Sequence, residues 1–533
     1  MHQSPFQSIL HTNIAPSDAD CRRIRELLLT PQQELADLDK EISRVQDQLD
    51  ALTRRKAALD AYVEAHLAMI SQARRLPDDI VREIFANCLP SHRNSIVSSD
   101  EAPLLLCQVC RPWREIALTT PRLWSSLHIV LPKKPLIHLQ VLTQIVSEWL
   151  DRSGVLPLSL SVICSRSWWT GEDNALPILQ RLIQSSRRWQ RIHFEFANHL
   201  TFAALRDLRP DDVPILRDAS IHGIERRAGR GWQSTDPDDD PVKSYRFLSF
   251  LDASHIQRVS INGAHGMPTS ALPLPWVHLT VLDITEGCLS YDEAVTIVRR
   301  CPALEKLALS IESLESRSTD HVPPISLHRL RDLSIFCDTD GASTAFIALL
   351  LLPSLRAFKY SQRSALDGAL PFSPLLAQAS HLEHFALSAV QLPPPPLLNR
   401  CLAAMPLLQH LELAADLRLL RPPTARDRQD HELVAHLTPR AAAAALCPHL
   451  ATLTLAGLEN ISGEALVRLV KARAHAHAPL RRLECVMPDA MQPDVAALLA
   501  EEVAGGLVLR LAWKNPPSVP VYSPTEGTER YRW

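Results

Sequence analysis

Cys107 and Cys110 stand two residues apart in Leu106-Cys107-Gln108-Val109-Cys110, a spacing that serves redox pairs and zinc half-sites. A structural zinc site needs four ligands, and the chain holds no second Cys-x-x-Cys. The pair therefore reads as two small hydrophobes on one helix. His475 and His477 are accompanied by no acidic or thiol cluster and read as a solvated helix end. Asp236 to Asp240 lacks the spacing and terminal glutamate of a calcium loop. There is no G-x-S-x-G, no H-E-x-x-H and no paired-carboxylate motif. There is also no G-x-G-x-x-G or G-x-x-x-x-G-K-[ST]. The expectation is a protein with no catalytic residue, no cofactor and no metal, whose work is binding.

The composition agrees. The chain has 533 residues, 46% of them hydrophobic and 22% charged, values of folded globular sequence. With a net charge of −3 and a pI near 6.7, it carries no basic field to collect nucleic acid. Eleven scattered cysteines, an odd number, and an N-terminal stretch without an apolar core predict reduced thiols in the cytoplasm, the nucleus or both. The longest apolar run, Phe346 to Leu352, is too short to span a membrane.

Residues 1–20 read as disordered. Residues 21–75 read as one long helix of roughly 40 residues, begun near Thr30-Pro31, because no proline or glycine occurs between Pro31 and Pro77. Leu35, Leu38, Ile42, Val45, Leu49 and Leu52 alternate in steps of three and four, and Leu59, Val63 and Ile70 continue the frame. That is a heptad with Leu35 at a, Leu38 at d, Lys56 at a and His66 at d. It predicts either a homodimer through 35–70 or a helix folded back on its own chain.

Residues 76–124 contain three short helical stretches. Pro77 suits a first helical position, and Asp78 and Asp79 suit the positive end of the helix dipole. Leu76, Ile80, Ile84 and Cys88 recur at i, i+4, with Val81 and Phe85 beside them. Pro90 ends this helix, and a polar loop covers 91–102. Pro103 opens a second helix carrying Leu105, Leu106, Val109 and Cys110, and Pro112 interrupts it. A third helix runs from about Trp113 to Leu118, before Pro121 and Trp124. The segment has more apolar side chains than so small a unit can hide.

This segment resembles an F-box. The resemblance rests on Leu76-Pro77, Ile80, Ile84-Phe85, Leu105, Val109-Cys110-Arg111, Trp113-Arg114, Ile116 and Pro121-Arg122-Leu123-Trp124, and is closest to the F-box proteins expanded in mushroom-forming fungi. The loop 91–102 is longer than in a minimal F-box. The resemblance implies docking on a Skp-type adaptor and, through it, on a cullin, with the rest of the chain selecting a protein substrate for ubiquitin transfer. It implies adaptor contacts at Leu76, Pro77, Ile80, Ile84, Phe85, Leu105, Val109, Cys110 and Trp113. Trp113, Ile116 and Trp124 are alternatively anchors onto the strands that follow.

Leu127/Ile129/Leu131 and Leu158/Leu160/Val162 alternate as strands, with a helical period at 136–151 between them. From Trp189 onward the pattern L-x-x-L-x-[LI] returns. Between Ile256 and Leu408 its first positions are Ile256, Leu279, Leu304, Leu330, Leu355, Leu382 and Leu408, in steps of 23 to 27 residues. This period is that of leucine-rich repeats. Helical pieces such as Tyr291 to Arg300 and Gly463 to Val470 lie between strands. Cys301-Pro302 and Cys447-Pro448 begin two units, and the second, with Leu450, Leu453, Leu455, Ile461 and Leu466, resembles the cysteine-containing repeats that often follow an F-box. The asparagine expected after the strand is mostly missing, so the expectation is an irregular α/β solenoid over 125–512, with a proline-rich extended tail at 513–533. Proline- and charge-rich stretches at 226–241 and 421–434 read as loops leaving it. The alternative function is a repeat scaffold with 76–124 as its cap and no ubiquitin role.

Overall fold

The computed structural model describes residues 4–131, 136–164, 176–195, 203–222, 243–262, 272–313, 323–337, 340–366, 370–378, 380–415, 434, 437–438, 446–456, 463–474, 479–487 and 495–513. The stretches 226–241 and 421–433, the alanines 441–445, His475, His477 and the tail 514–533 lie outside these residues. Among the described residues no helix is long and apolar enough to cross a membrane. The chain divides into two compact units, Met1–Val81 and Arg82–Trp533.

The first unit is dominated by helix α1, Asp18–Met69, of 52 residues. It begins thirteen positions before Pro31 and inside the stretch expected to be disordered. Ser17 explains the earlier start. Its side chain accepts a hydrogen bond from the Asp20 amide at 3.2 Å, and Asp18 and Asp20 sit in the first turn. Pro31 stays inside the helix. Its missing N–H leaves the Leu27 carbonyl without a helical donor, and Leu27 is exposed, so water can serve that carbonyl. None of the residues of α1 is buried.

The second unit is α/β. Fourteen parallel strands form one sheet in strict sequence order. They are β1 (Ser126–Leu131), β2 (Leu158–Cys164), β3 (Trp189–Glu195), β4 (Asp218–His222), β5 (Arg258–Ile261), β6 (Val281–Ser290), β7 (Lys306–Ser313) and β9 (Asp332–Cys337). The order continues through β11 (Ala357–Ala365), β12 (His384–Gln391), β13 (His410–Ala415), β14 (Thr452–Ala456), β15 (Arg482–Met487) and β16 (Val508–Trp513). The two-residue strands β8 (Ile325–Ser326) and β10 (Leu350–Leu351) pair separately.

Each triplet places its last two residues on the buried face. Leu307/Leu309, Leu333/Ile335, Phe358/Tyr360, Phe385/Leu387 and Leu411/Leu413 align across the strands and are almost fully enclosed. The first residue of each triplet, such as Leu304, Leu330 or Leu355, is buried where the chain turns into the strand. One hydrogen-bond device recurs at that turn. The Thr280 carbonyl accepts from the amides of Glu305 and Lys306, and the Glu305 carbonyl from those of Arg331 and Asp332. Arg331, Arg356, Glu383, Gln409 and Ala451 repeat it. Each unit thereby satisfies two amide donors of the next, which fixes the register of parallel neighbours.

The helix expected at 291–300 spans Tyr291–Arg300, closed by a reciprocal cap between Ser290 and Glu293. Another spans Gly463–Ala474. Pro395 opens a helix to Ala403, so the prolines at 393–396 lead into a helix as well as separating two strands. Buried Arg473 donates to the carbonyls of Leu437, Leu446 and Cys447 at 3.1, 2.8 and 3.3 Å. It ties the end of a long connection to the helix that follows.

Candidate functional site

Helix α2, Asp78–Asn87, carries alternating fates along one turn. Val81 and Phe85 are buried, while Ile80 and Ile84 are 46% and 43% exposed. Residues four apart share a helical face, so α2 presents an apolar stripe to water. Leu76 and Pro77, just before it, are also exposed.

Within the second unit, α3 (Leu106–Val109) and α4 (Arg111–Leu118) meet at Cys110. The Arg114 guanidinium donates to the Cys107 carbonyl at 2.6 Å, which sets the angle between them. Leu106, Ile116 and Ala117 turn inward. Leu105 and Val109 are 44% and 56% exposed, and Cys110 is exposed. Phe85 is fully enclosed and meets the half-buried Trp113 edge-on, 5.0 Å between ring centres. Of the nine residues that the resemblance marks for adaptor contact, seven therefore face water. Phe85 instead holds the segment together, and Trp113 packs against it. Phe85 was included because it follows Ile84 in the motif; the side of a helix turned inward depends on what packs there.

Trp124 is fully buried. Its indole donates to the Ala117 carbonyl at 2.8 Å, it meets Trp149 edge-on at 4.7 Å, and the Arg152 guanidinium lies over it at 4.8 Å. Trp124 thus packs against α5 (Leu136–Arg152), while Ile116 is buried and Trp113 packs on Phe85. The polar loop 91–102 also has a structural role. The Ser95 carbonyl accepts from the His128 amide at 2.7 Å, Ile96 forms a parallel bridge to His128, and Asn94 donates to Ser161 at 3.0 Å. The loop is laid along β1, the first strand of the sheet, and occupies hydrogen-bonding groups that an open edge would offer to other chains.

Cys107 is half-buried, and burial pushes its thiol up, against the opposing pull of Arg152 and Arg114. A thiol held protonated is a poor nucleophile and a poor metal ligand. Cys107 lies in α3 and exposed Cys110 between the two helices, so the pair does not share one helix.

Among the described residues, three potential metal ligands converge in one place, His193, Glu195 and His222. The signal in the sequence is His193-x-Glu195 on one strand, with His222 directly opposite Glu195 on the next. Their ligand atoms lie within 4.8 Å of one another. A zinc ion with bonds near 2.0–2.1 Å needs tetrahedral edges of about 3.3 Å. The imidazoles are already engaged. His193 Nδ1 pairs with Ser220 Oγ at 2.7 Å, and His222 Nε2 lies 3.0 Å from the hydroxyls of Ser220 and Ser260. His128 and Ser161 pair likewise at 2.9 Å. The arrangement is a row of histidine and serine side chains on β1 to β5, paired through the hydroxyls of Ser161, Ser220 and Ser260.

Farther along the same face, over β6 to β14, lies an open groove of about 530 Å³. Lys306, Lys359, His384 and His410 line it with Asp332 and Glu412. Lys306 pairs with Asp332 at 3.0 Å, and Lys359 lies over the Phe336 ring. The rings of His384 and His410 stack at 4.0 Å. Burial, then the neighbouring His384, lowers the His410 pKa below its ordinary 6.5, against a smaller opposing effect of Glu383. Mixed charges above apolar strand residues suit a polypeptide segment with groups of both signs.

No protein-family model matches the chain, and no curated protein matches it.

Proposed function

We propose that the chain is the substrate-receptor subunit of an SCF-type cullin-RING ubiquitin ligase. In this reading the F-box at 76–124 binds a Skp-type adaptor. The strand-and-helix region is a leucine-rich-repeat-like solenoid whose exposed strand face, including the groove over β6 to β14, binds a protein substrate. The protein performs no chemistry itself. Its contribution is effective concentration, which turns the encounter of substrate and ubiquitin-loaded enzyme into a local event.

The observation that carries the reading is the inside-out character of the motif. Leu76, Ile80, Ile84, Leu105 and Val109 are exposed apolar side chains at the motif's contact positions, while Phe85, Leu106, Ile116 and Trp124 supply the interior. The strictly sequential parallel strand order supports the solenoid. Cys21, Cys88, Cys107, Cys110, Cys301, Cys337, Cys401, Cys447 and Cys485 are free thiols, which suits the cytoplasm or nucleus.

Co-expression of residues 70–533 with a fungal Skp-type adaptor is expected to give a one-to-one complex on size exclusion. Leu76→Ala with Pro77→Ala, and separately Ile84→Ala with Val109→Ala, are expected to abolish adaptor pull-down and leave far-UV circular dichroism unchanged. Each lost apolar contact removes up to about 1.5–3 kcal/mol. Elution of a folded chain apart from excess adaptor would remove the ligase role.

A second reading has a specific observation behind it. The loop 91–102 and Trp124 close the start of the sheet, which is what a repeat scaffold needs of a cap. A cap has no use for exposed Ile84, Leu105 and Val109, so the pull-down separates the two.

A further inference from the structure

The heptad frame of α1 does not start at Leu35. The helix is continuous from Asp18, and the same frame runs back past Pro31 at d through Leu28 at a and Ile24 at d to Cys21 at a. In the clear part of the frame, Leu35, Ile42, Leu49 and Val63 occupy a, and Leu38, Leu52 and Leu59 occupy d. Each is at least half exposed. A row of this length has no stable life in water unless another apolar surface covers it.

We propose that the cover is a second copy of this chain, in a parallel, in-register two-stranded coiled coil running from about Cys21 to Ile70. Three features select this occupant. First, β-branched Ile42 and Val63 at a with Leu38, Leu52 and Leu59 at d follow the pattern of parallel pairs. Second, Lys56 is the one charged a residue, and a single polar a position sets register and a two-chain state. Third, the flanking charges discriminate orientation. In the parallel arrangement Asp20 at g faces the partner's Arg25 at e, and Arg55 at g faces the partner's Asp60 at e, against one repulsive pairing of Glu34 with the partner's Asp39. Glu41 is neutralised within its own helix by Arg44 at 2.5 Å. An antiparallel pair over the same span brings Asp39 against the partner's Asp60 twice and gains in return only the pairing of Arg55 with a partner glutamate, Glu34 or Glu41, twice. The dimer carries two copies of the Arg82–Trp533 unit, and its existence does not depend on the ligase role.

The test uses the full chain. Sedimentation at about 10 μM is expected to give twice the 59.5 kDa chain mass, falling to one chain mass in Leu49→Glu with Leu52→Glu. A wild-type monomer, or a dimer that survives the double substitution, overturns the proposal. Orientation has its own readout. In the parallel pair the two copies of Cys21 share one layer. Antiparallel, at 1.5 Å per residue, they lie more than about 50 Å apart. Mild oxidation is expected to cross-link the wild type and not Cys21→Ser, and Lys56→Cys placed on Cys21→Ser is expected to restore the cross-link. A dimer in which neither position cross-links overturns the parallel arrangement. Adaptor binding by the Leu49→Glu, Leu52→Glu monomer is expected to be retained, so failure here and failure of the adaptor reading give different results.

Discussion

Leucine, isoleucine and valine have opposite fates in α1 and in the sheet. In α1 they recur every three or four residues along 52 residues, and none is buried. In β6 to β14 they recur every two, and almost all are enclosed. A helix satisfies its own backbone groups, so α1 can form before its apolar stripe finds a cover. A parallel strand has no such independence. Its amides need the carbonyls of the neighbouring unit, as the shared acceptors Thr280, Glu305 and Arg331 illustrate, so strand formation and burial arrive together. The segment 76–124 lies between these extremes, with Phe85 enclosed and Ile84 beside it in water. Apolar composition alone therefore does not distinguish a buried face from an exposed one.

The comparison can be broken most directly in the sheet interior. Phe358 packs edge-on against Phe372 and stacks with Phe385. Phe358→Ala is expected to lower the free energy of unfolding by about 3–5 kcal/mol in urea titration. Leu52→Ala in α1 is expected to leave the midpoint of the sheet unit unchanged. Similar shifts from the two substitutions would erase the distinction.

A smaller loss is expected at Arg473. Its guanidinium is satisfied by backbone carbonyls, and burial depresses its pKa. Arg473→Met keeps an apolar stem but leaves the carbonyls of Leu437 and Leu446 unpaired, at a cost of about 1–3 kcal/mol. Limited proteolysis is expected to open the chain near 437–447 before the strands are cut. Uniform digestion would assign Arg473 no local role.

The smallest effect concerns the exposed face of the sheet. With its folded pKa below the ordinary 6.5, His410 takes up its proton less readily in the folded than in the unfolded chain. Its stabilising contribution is complete above about pH 6.5 and declines as the pH falls through the lower folded value. The urea midpoint is expected to fall between pH 7.5 and 5.0, and to fall less in His410→Gln. Partial exposure keeps the difference small. An identical pH profile in the variant would remove the stacked pair from the account.

Much of the fold was legible in order along the chain. The triplets Leu304/Leu307/Leu309 and Leu330/Leu333/Ile335 mark strands and their inward faces, because a period of two is a local property of strand geometry. The helix at 291–300 was legible for the same reason, through its local period, and the structure adds its Ser290/Glu293 cap. The start of α1 was misplaced, because Pro31 is a strong local signal for a boundary, whereas the Ser17 cap and the solvent around Leu27 let the helix pass through it. At the candidate site the short helices were legible, but the inward turn of Phe85 was not.

What the sequence by itself determined is everything that depends on neighbours within about a turn: the heptad of α1, the strand phase of each unit, the helical stretches of 76–124. The tertiary structure alone decided which of two equally apolar neighbours, Ile84 or Phe85, meets water. It also laid Ser95 and Ile96 along β1, and brought His193, Glu195 and His222 together on adjacent strands. Those outcomes depend on register between segments far apart in the chain, and pairing register is a property of two strands that neither carries alone.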